Sequence, residues 1–330
     1  MIHPTVAPRE EIEKRLLQHL KFPAIRDREE GIRRALTKTF KWIYLERVAE
    51  DVKWTCFVRW LQSDDSLYWI MGKAGSGKST LMKFLHLDPR AANYLSKWAQ
   101  SSKLVIAGHF FWNSGNSMQM SVDGLLRTLL YEIVQGEAIW IPNLFRERWE
   151  EVKSKLIPGG TCEMQPWTTS ECLRTLRRLL HPPFNTSRFF FFVDGLDEFS
   201  GDHTELIELL KEMAHSPHIK VCVASRPWSV FQDAFDTGPH LILQHLTRPD
   251  INRYVCTKFY ENRGFLELQK GNSLLAAQLT EAVTQKASGV FLWVRLAVQS
   301  PLRGLTNGDR MSDLTRRLED LPEDLEMFVP

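Results

Sequence analysis

Residues 66–80 read SLYWIMGKAGSGKST, and the fold can be worked out from this stretch. An apolar run of strand length, residues 67–71, precedes a glycine-rich turn, and residues 79–87 have the composition of a helix start. The turn fits the phosphate-loop pattern G-x-x-x-x-G-K-[ST]. Its four fixed positions are Gly72, Gly77, Lys78 and Ser79. The flanking strand and helix favour a functional loop over the alternative, a chance glycine turn before a helix.

The residue types explain how such a loop binds a polyphosphate. Glycines let backbone N–H groups turn inward without a clashing Cβ, and the following helix points its free N–H groups at the same anion. We expect Lys78 to reach the β- and γ-phosphates and the Ser79 hydroxyl to bind Mg²⁺. The predicted nucleotide-binding residues are Gly72, Lys73, Ala74, Gly75, Ser76, Gly77, Lys78, Ser79 and Thr80.

Composition limits the class of protein. With 43% hydrophobic and 25% charged residues, the 330-residue chain is typical of a soluble globular protein. A formal net charge of +2 gives no general case for nucleic-acid or membrane binding. The five cysteines lack metal-ligand or redox spacing, which indicates free thiols in a reducing compartment. Since no secretory signal or membrane-spanning run is visible, we expect a cytoplasmic protein.

Apolar runs alternate with helical periodicity up to about residue 246. Strands are predicted at 67–71, 103–112, 188–193, 219–224 and 240–245. Helices are predicted at 9–20, from about 28, and at 78–87, 124–135, 143–156, 170–181 and 204–214. This alternation predicts an α/β fold with a doubly wound parallel sheet.

The segment before the loop has two interpretations. Pro23 breaks the chain, and a second helix is predicted near Arg28, with one apolar face. That face consists of Ile32, Ala35, Leu36 and Phe40. The helix could simply pack on the main domain. Alternatively, the backbone from Phe22 to Arg28 could touch the base of a nucleotide.

Carboxylates and an arginine follow two of the predicted strands. DGLDE, residues 194–198, comes directly after the apolar run RFFFFV, and ligands in open α/β sheets bind outside the carboxyl ends of the strands. Asp194 is the candidate Mg²⁺ ligand, while Asp197 and Glu198 could orient an attacking water or support the metal. Arg226, after the fourth strand, could sense the γ-phosphate. The alternatives are an acidic surface loop and an arginine in a surface salt bridge.

From residue 248 the pattern becomes entirely helical, with Pro301 interrupting or ending the third of these helices. The predicted organisation is an N-terminal helical linker at 1–50, a P-loop NTPase domain at 51–246 and a helical domain at 247–330. No N-K-x-D sequence of the guanine-selecting type occurs, so adenine is the better expectation for the base.

With these motifs in view, the chain resembles the NACHT family of signal-transduction NTPases, also called the STAND class. It is most similar to fungal NOD-like receptor proteins of the branch also described as nephrocystin-3-like. The likeness extends over nearly the whole chain and includes these segments: TFKWIYLE, WIMGKAGSGKSTLMKFL, HFFWNSG, RFFFFVDGLDEF, VCVASRPW, LTRPDINRYV and KASGVFLWVRL. The run of apolar residues ending in DGLDE is the specific part, because a phosphate loop alone indicates only an NTPase.

The resemblance implies a five-stranded parallel sheet in the order 5-1-4-3-2 and a helical domain that closes over ATP or ADP with Mg²⁺. It implies a switch: exchange of ADP for ATP opens the protein and drives assembly. By position, Lys78 and Ser79 bind phosphate and Mg²⁺, and Asp194 holds the metal. The implied catalytic residues are Asp197, Glu198 and Arg226.

The sequence departs from the family pattern at two positions. Gly195 stands where many fast ATPases have a glutamate after the metal aspartate, which suggests slow hydrolysis. Phe291 stands where many relatives have a proline that contacts adenine.

Three hypotheses remain open at this stage. The main one is a slow ATP/ADP switch that forms homo-oligomers or co-assembles with related receptors in a NOD-like receptor pathway. The second is a true turnover enzyme, such as a fast ATPase or a kinase. The third is a regulator or decoy of full-length relatives, since no effector domain and no ankyrin, WD40 or TPR array is recognisable in the sequence.

Overall fold

The computed structural model describes residues 9–36, 38–46, 54–155 and 164–321. Five strands form one parallel sheet in the order β2-β3-β4-β1-β5. Their bounds are Leu67–Met71 (β1), Lys103–Phe110 (β2), Ser187–Asp194 (β3), Ile219–Ser225 (β4) and His240–Ile242 (β5). The order 5-1-4-3-2, implied by the resemblance, is therefore confirmed.

Strand β3 shows why the sheet is covered on both faces. Every residue from Phe189 to Val193 is fully buried. Alternate side chains point to opposite faces, so Phe189 and Phe191 join one hydrophobic core while Phe190 and Phe192 join another. A strand buried on both sides needs an unbroken apolar run, and the RFFFFV stretch supplies it.

Helices pack on both faces of this sheet. Those before residue 247 are Arg9–Leu20, Asp27–Gly31, Phe57–Gln62, Lys78–Leu87, Pro89–Ala99, Val122–Gly136, Ile141–Leu144, Arg146–Lys155, Thr169–Arg178, His203–Ala214, Ser229–Phe235 and Leu243–Leu246. Short 3₁₀ turns occur at Lys41–Tyr44, Ser117–Met120, Ala138–Trp140, Phe184–Thr186 and Leu196–Glu198. The helix Lys78–Leu87, called the P-loop helix below, lies where the motif predicted it.

The described residues from 248 onward form the helical unit, residues 248–321. Its helices are Arg248–Tyr260, Arg263–Gly271, Ser273–Lys286, Phe291–Ala297, Gln299–Asn307 and Met311–Glu319. They enclose a hydrophobic core of their own, built around Ile251, Phe259 and Trp293. Pro301 lies in the first turn of Gln299–Asn307, just after the break at Val298, where a missing N–H costs no hydrogen bond. The predicted domain boundaries at residues 50 and 246 stay predictions.

Two sequence predictions are corrected. The fifth strand ends at Ile242 instead of residue 245, because the chain turns there into Leu243–Leu246. The helix predicted from Arg28 through Phe40 ends at Gly31. Beyond it, Ile32 and Phe40 are buried, whereas Leu36 is half exposed, so these residues do not form one apolar helical face.

The described cysteines, at positions 56, 172, 222 and 256, are free thiols, and Cys162 lies outside the described residues. No helix in the described ranges is both long and apolar enough to cross a bilayer.

Candidate functional site

The phosphate loop adopts the backbone that its glycines allow. Gly75 and Gly77 have φ values of +67° and +101°, in the left-handed region that side chains disfavour. A Cβ on Gly72 would lie 2.6 Å from the Ser76 hydroxyl oxygen and 3.3 Å from Lys78 Cγ, so these side chains would have to shift to admit one. The loop leads directly into the first turn of the P-loop helix, whose free N–H groups therefore face the same space.

Lys78 lies across this loop. Its ammonium donates to the carbonyl oxygens of Gly72 at 2.8 Å and Lys73 at 3.1 Å. Burial lowers the pKa of Lys78, while the carboxylates of Asp197 and Asp194 act against that lowering. A largely buried cation bonded only to neutral carbonyls, close to two carboxylates, is well suited to bind phosphate oxygens.

One cavity of about 530 Å³ opens over the loop. Four parts of the chain line it: the segment with Arg28, residues 33–36, Thr39 and Phe40; the phosphate loop; the strand ends that carry Asp194 and Arg226; and the helical unit. The helical unit contributes Tyr254, Phe291, Leu292 and Arg295. In the sequence, Phe291 stands out only as a departure from a family pattern. Tyr254 and Arg295 could not be predicted as site residues, because no local motif marks them.

Asp194 ends β3 and is 1% exposed. Neither of its carboxylate oxygens has a hydrogen-bond partner among the described residues. Burial raises the pKa of Asp194 to about 6, against the effects of Lys78 and of the Ser79 hydroxyl, which approaches without full hydrogen-bond geometry. An unpartnered buried carboxylate beside a hydroxyl fits a Mg²⁺ ligand pair, with phosphate oxygens and water completing the shell.

This pair could not hold a metal unaided. In the described part of the chain, no group of three or more His, Cys, Asp or Glu side chains could bind a metal ion. A cation at Asp194 would therefore depend on a phosphate ligand, as the phosphate-loop prediction requires.

Asp197 and Arg226 form a tight pair at the next strand end. The Arg226 guanidinium donates to one oxygen of Asp197 at 2.9 Å, and the Arg226 backbone N–H donates to the other at 2.9 Å. The Asp197 side chain is 4% exposed, whereas that of Arg226 is 41% exposed and faces the cavity. Asp197 thus positions the arginine predicted to sense phosphate.

Glu198 is engaged on the opposite side of Asp194. Its carboxylate accepts the Asn113 backbone N–H at 3.2 Å and an Arg28 N–H at 3.4 Å. Gly195 makes this short loop possible, because its φ of +73° lies in the left-handed region. Asp194–Glu198, called the acidic loop below, brings all three predicted carboxylates to the cavity wall.

The segment before the phosphate loop reaches the cavity at Arg28. Phe22 lines a separate small hollow, and Arg28 is the residue of the predicted stretch that faces the main cavity. The neighbouring wall comes from residues 33–36 and from Thr39 and Phe40. The predicted contact of the backbone from Phe22 to Arg28 with a base stays a prediction.

A buried carboxylate of the helical unit fixes this wall. Asp250 accepts the Phe40 backbone N–H at 2.9 Å and the Trp42 indole N–H at 3.0 Å. Phe40 has a φ of +58°, which a non-glycine residue adopts only when its surroundings enforce it. Arg253 adds a bond to the Lys38 carbonyl at 2.6 Å.

The helical unit is also bonded to the phosphate loop. The Leu292 N–H of the helical unit donates to the Gly75 carbonyl at 3.0 Å. The Lys73 N–H of the loop donates to the side chain of Gln244, which lies just before that unit, at 3.2 Å. Gly289 permits this approach, because a Cβ there would lie 2.1 Å from the Gln244 carbonyl oxygen. The helical unit thus closes one side of the cavity through backbone contacts.

Comparison with known families identifies the domain that carries the loop. The family model described as nephrocystin 3, N-terminal, matches residues 52–226, slightly more than half of the chain. The chain belongs to this family. In this member of the nephrocystin-3 N-terminal family, the match contains the phosphate loop, the acidic loop and Arg226. Residues 28–40 and the helical unit lie outside it.

Solved structures similar to this family member are more distant. The Drosophila ORC structure bound to DNA is 14% identical, with a TM-score of 0.41, and the alignment covers 78% of this chain and 62% of that one. Cdc6p from Pyrobaculum aerophilum is 12% identical, with a TM-score of 0.38 and coverages of 76% and 59%. The chain thus spans about three-fifths of each. A comparison with curated proteins gives no match.

Proposed function

We propose that this nephrocystin-3 N-terminal family member is a molecular switch of the NACHT type that binds ATP and ADP with Mg²⁺ and hydrolyses ATP slowly. One observation carries the proposal: a single cavity joins the phosphate loop, the unpartnered carboxylate of Asp194 and the helical unit. A fixed phosphate site walled by a separate helical unit is the arrangement that a nucleotide-controlled conformational change needs.

The residues present fit the proposed ligands. The N–H groups of residues 72–80 and the Lys78 ammonium would bind the phosphates, and Ser79 and Asp194 would hold Mg²⁺. Bound Mg²⁺ would neutralise charge on the β- and γ-phosphates. Arg226 would contact the terminal phosphate from the β4 side. Thr39, Phe40, Tyr254 and Phe291 offer apolar surface for a base, and adenine remains the proposed one.

The acidic loop supports slow hydrolysis. A fast ATPase needs a carboxylate free to orient or deprotonate the attacking water. Of the acidic residues that line the cavity, Asp197 is held by two contacts with Arg226 and Glu198 is held by the Asn113 backbone N–H, which leaves only the proposed metal ligand without a fixed partner. These pairings favour a switch over the rival hypothesis of a turnover enzyme.

The biological setting is part of the proposal. We place the switch in a fungal NOD-like receptor pathway of the cytoplasm, where the ATP form assembles with copies of itself or with related receptors. The contacts between the helical unit and the phosphate loop supply the physical link, because a ligand that alters one side must bias the other.

The first test is to identify the nucleotide that the protein carries. The chain is purified without added nucleotide and denatured, and the released material is identified by chromatography and mass. We expect stoichiometric ADP. Isothermal titration then compares wild type with Lys78→Ala, for which affinity for ATP and ADP should fall by about 100-fold or more. Lys97→Ala, at an exposed helix position, is the matched control and should bind like wild type.

Each rival predicts a different result. If Lys78→Ala binds nucleotide as tightly as wild type, the proposed site is wrong. Steady turnover near 10 s⁻¹, about the median for enzymes, would favour the turnover enzyme. Self-association that is the same in ATP and ADP would favour the regulator or decoy.

A further inference from the structure

The two arginine–carboxylate pairs of the acidic loop differ in the number and length of their contacts. The pair of Arg226 and Asp197 has two contacts of 2.9 Å, one of them from the backbone. The pair of Arg28 and Glu198 has a single contact of 3.4 Å, close to the limit for a hydrogen bond. Glu198 is therefore a weak partner for Arg28, although both side chains are mostly buried.

Arg28 has unused hydrogen-bonding capacity. A guanidinium carries five N–H donors. The Nε of Arg28 is buried and has no hydrogen-bond partner among the described residues. The guanidinium carbon also lies 5.7 Å from the centroid of the Trp112 ring. A buried donor without a partner is unfavourable, so the side chain is better suited to a stronger anion than to its present contact.

The backbone around Arg28 is anchored to the P-loop helix. The buried ammonium of Lys83 donates to the carbonyls of Glu29 at 2.5 Å, Glu30 at 3.3 Å and Ile32 at 2.8 Å. These bonds fix the end of the helix Asp27–Gly31 against the helix that begins at the phosphate loop. The position of Arg28 relative to Lys78 and Ser79 is therefore set by the fold.

Arg28 approaches the cavity from the side opposite Arg226. Arg226 follows β4, whereas Arg28 lies against Trp112, which follows β2, and Asp194 ends β3 between them. Both arginines line the cavity, together with Lys78. The two guanidinium groups therefore flank the predicted metal aspartate.

We infer that Arg28 is a second phosphate-contacting arginine, which exchanges its weak contact with Glu198 for the terminal phosphate of ATP and so helps the site distinguish ATP from ADP. The inference rests on the proposed function. Phosphate oxygens carry more charge than one carboxylate and accept several N–H bonds from one guanidinium. ADP lacks the terminal group and leaves Arg28 on Glu198.

The test compares Arg28→Gln and Arg28→Lys with Arg26→Gln. Arg26 lies on the same segment but bonds to Gln135 outside the cavity, so its variant controls for loss of a nearby charge. Isothermal titration with Mg²⁺ measures affinity for ADP and for a non-hydrolysable ATP analogue. For Arg28→Gln we expect the analogue to bind about 10- to 100-fold more weakly, with ADP changed less than about threefold. Arg28→Lys should lie between, and Arg26→Gln should match wild type.

Other outcomes overturn the inference. Equal losses for both ligands would make Arg28 a structural residue, and unchanged affinity for both would remove it from the site. If Arg28→Gln has a lowered melting temperature, Arg28→Lys decides the question, since it keeps the charge but not the planar fork. Failure of the proposed function would give different results in the same titrations. The wild-type protein would bind neither nucleotide, or the Lys78→Ala variant would bind both as tightly as wild type.

Discussion

The cavity has two halves of different construction. Its phosphate half comprises Ala74, Gly75, residues 77–80, the acidic loop and Arg226, all on segments that follow neighbouring parallel strands. Its base half comprises residues 33–36, Thr39, Phe40 and side chains of the helical unit. The phosphate half is made by backbone that short motifs specify. The base half depends on contacts between residues about 200 positions apart, such as Asp250 and Phe40.

The different construction of the two halves corresponds to two tasks, phosphate binding and closure of the cavity. Phosphates are the same in every nucleotide, so a fixed cradle of N–H groups and charges is sufficient for them. Closure must be reversible in a switch, and a wall assembled from two separate segments can open without disturbing the sheet. We therefore expect substitutions in the base half to lower stability and closure, and substitutions in the phosphate half to change ligand and metal binding without lowering the stability of the free protein.

The largest expected effect on stability is in the helical unit that walls the base half, at Gly289. Gly289→Ala places a Cβ 2.1 Å from the Gln244 carbonyl oxygen at a φ of +79°. Both the clash and the backbone strain oppose it, and we expect a loss of about 4 kcal/mol in the free energy of unfolding. Urea denaturation followed by circular dichroism measures this loss.

Gly271→Ala is the matched control for this change. It lies in the same helical unit, and a Cβ there would meet nothing within 4 Å. We expect Gly271→Ala to be neutral or slightly stabilising. Equal stability of the two variants would contradict the close approach described for Gly289.

The next effect is in the phosphate half, at Asp194. Its raised pKa of about 6 means that the folded protein favours the neutral carboxyl. This stabilisation is complete below the ordinary aspartate pKa and is lost as the pH rises through about 6. Without Mg²⁺ or nucleotide, Asp194→Asn should therefore exceed wild type in stability at pH 7.5, by about 3 kcal/mol at most.

Asp194→Asn should also remove the dependence of nucleotide affinity on Mg²⁺. In wild type, that dependence should weaken as the pH falls below about 6, because protons then compete with the metal. Denaturation and titration at several pH values measure both effects. The exposed Asp233→Asn is the control. A variant less stable than wild type at pH 7.5 would mean that Asp194 has partners in solution.

The smallest effect is expected at Asp250. Asp250→Asn keeps one acceptor for the Phe40 and Trp42 N–H groups but loses the charge that also faces Arg253 at 3.3 Å, and we expect about 2 kcal/mol of destabilisation. Nucleotide affinity should fall slightly and equally for ATP and ADP, with the Mg²⁺ dependence unchanged. Asp233→Asn again serves as control. A selective loss of ATP would show that the two halves are not separable in this way.

The two halves also differ in how far sequence predicted them. The strand, loop and helix around Gly72 to Ser79 were found nearly to the residue, because the signals are local: an apolar run, glycines at fixed spacing and a helix start. The burial of Phe189 to Val193 followed from an unbroken apolar run. The strand order was predicted from the family resemblance, because periodicity alone does not specify the order of strands in a sheet.

The sequence predictions are wrong where residues far away in the chain provide the hydrogen-bond partners of backbone groups. A helix through Phe40 was predicted from its apolar spacing, but Lys83 binds the carbonyls at the end of Asp27–Gly31, and Asp250 binds the N–H of Phe40. The fifth strand stops at Ile242, after which Gln244 contacts the phosphate loop. None of these three contacts joins residues within a sequence window of helix or strand length.

The bond from the Leu292 N–H to the Gly75 carbonyl provides a built-in reporter. One backbone proton joins the helical unit to the phosphate loop, so its exchange with deuterium measures how often that junction opens. Any ligand that slows this exchange by favouring the closed arrangement must itself bind more tightly to a chain in which the junction is locked. A single amide resonance could thus report the state of the switch.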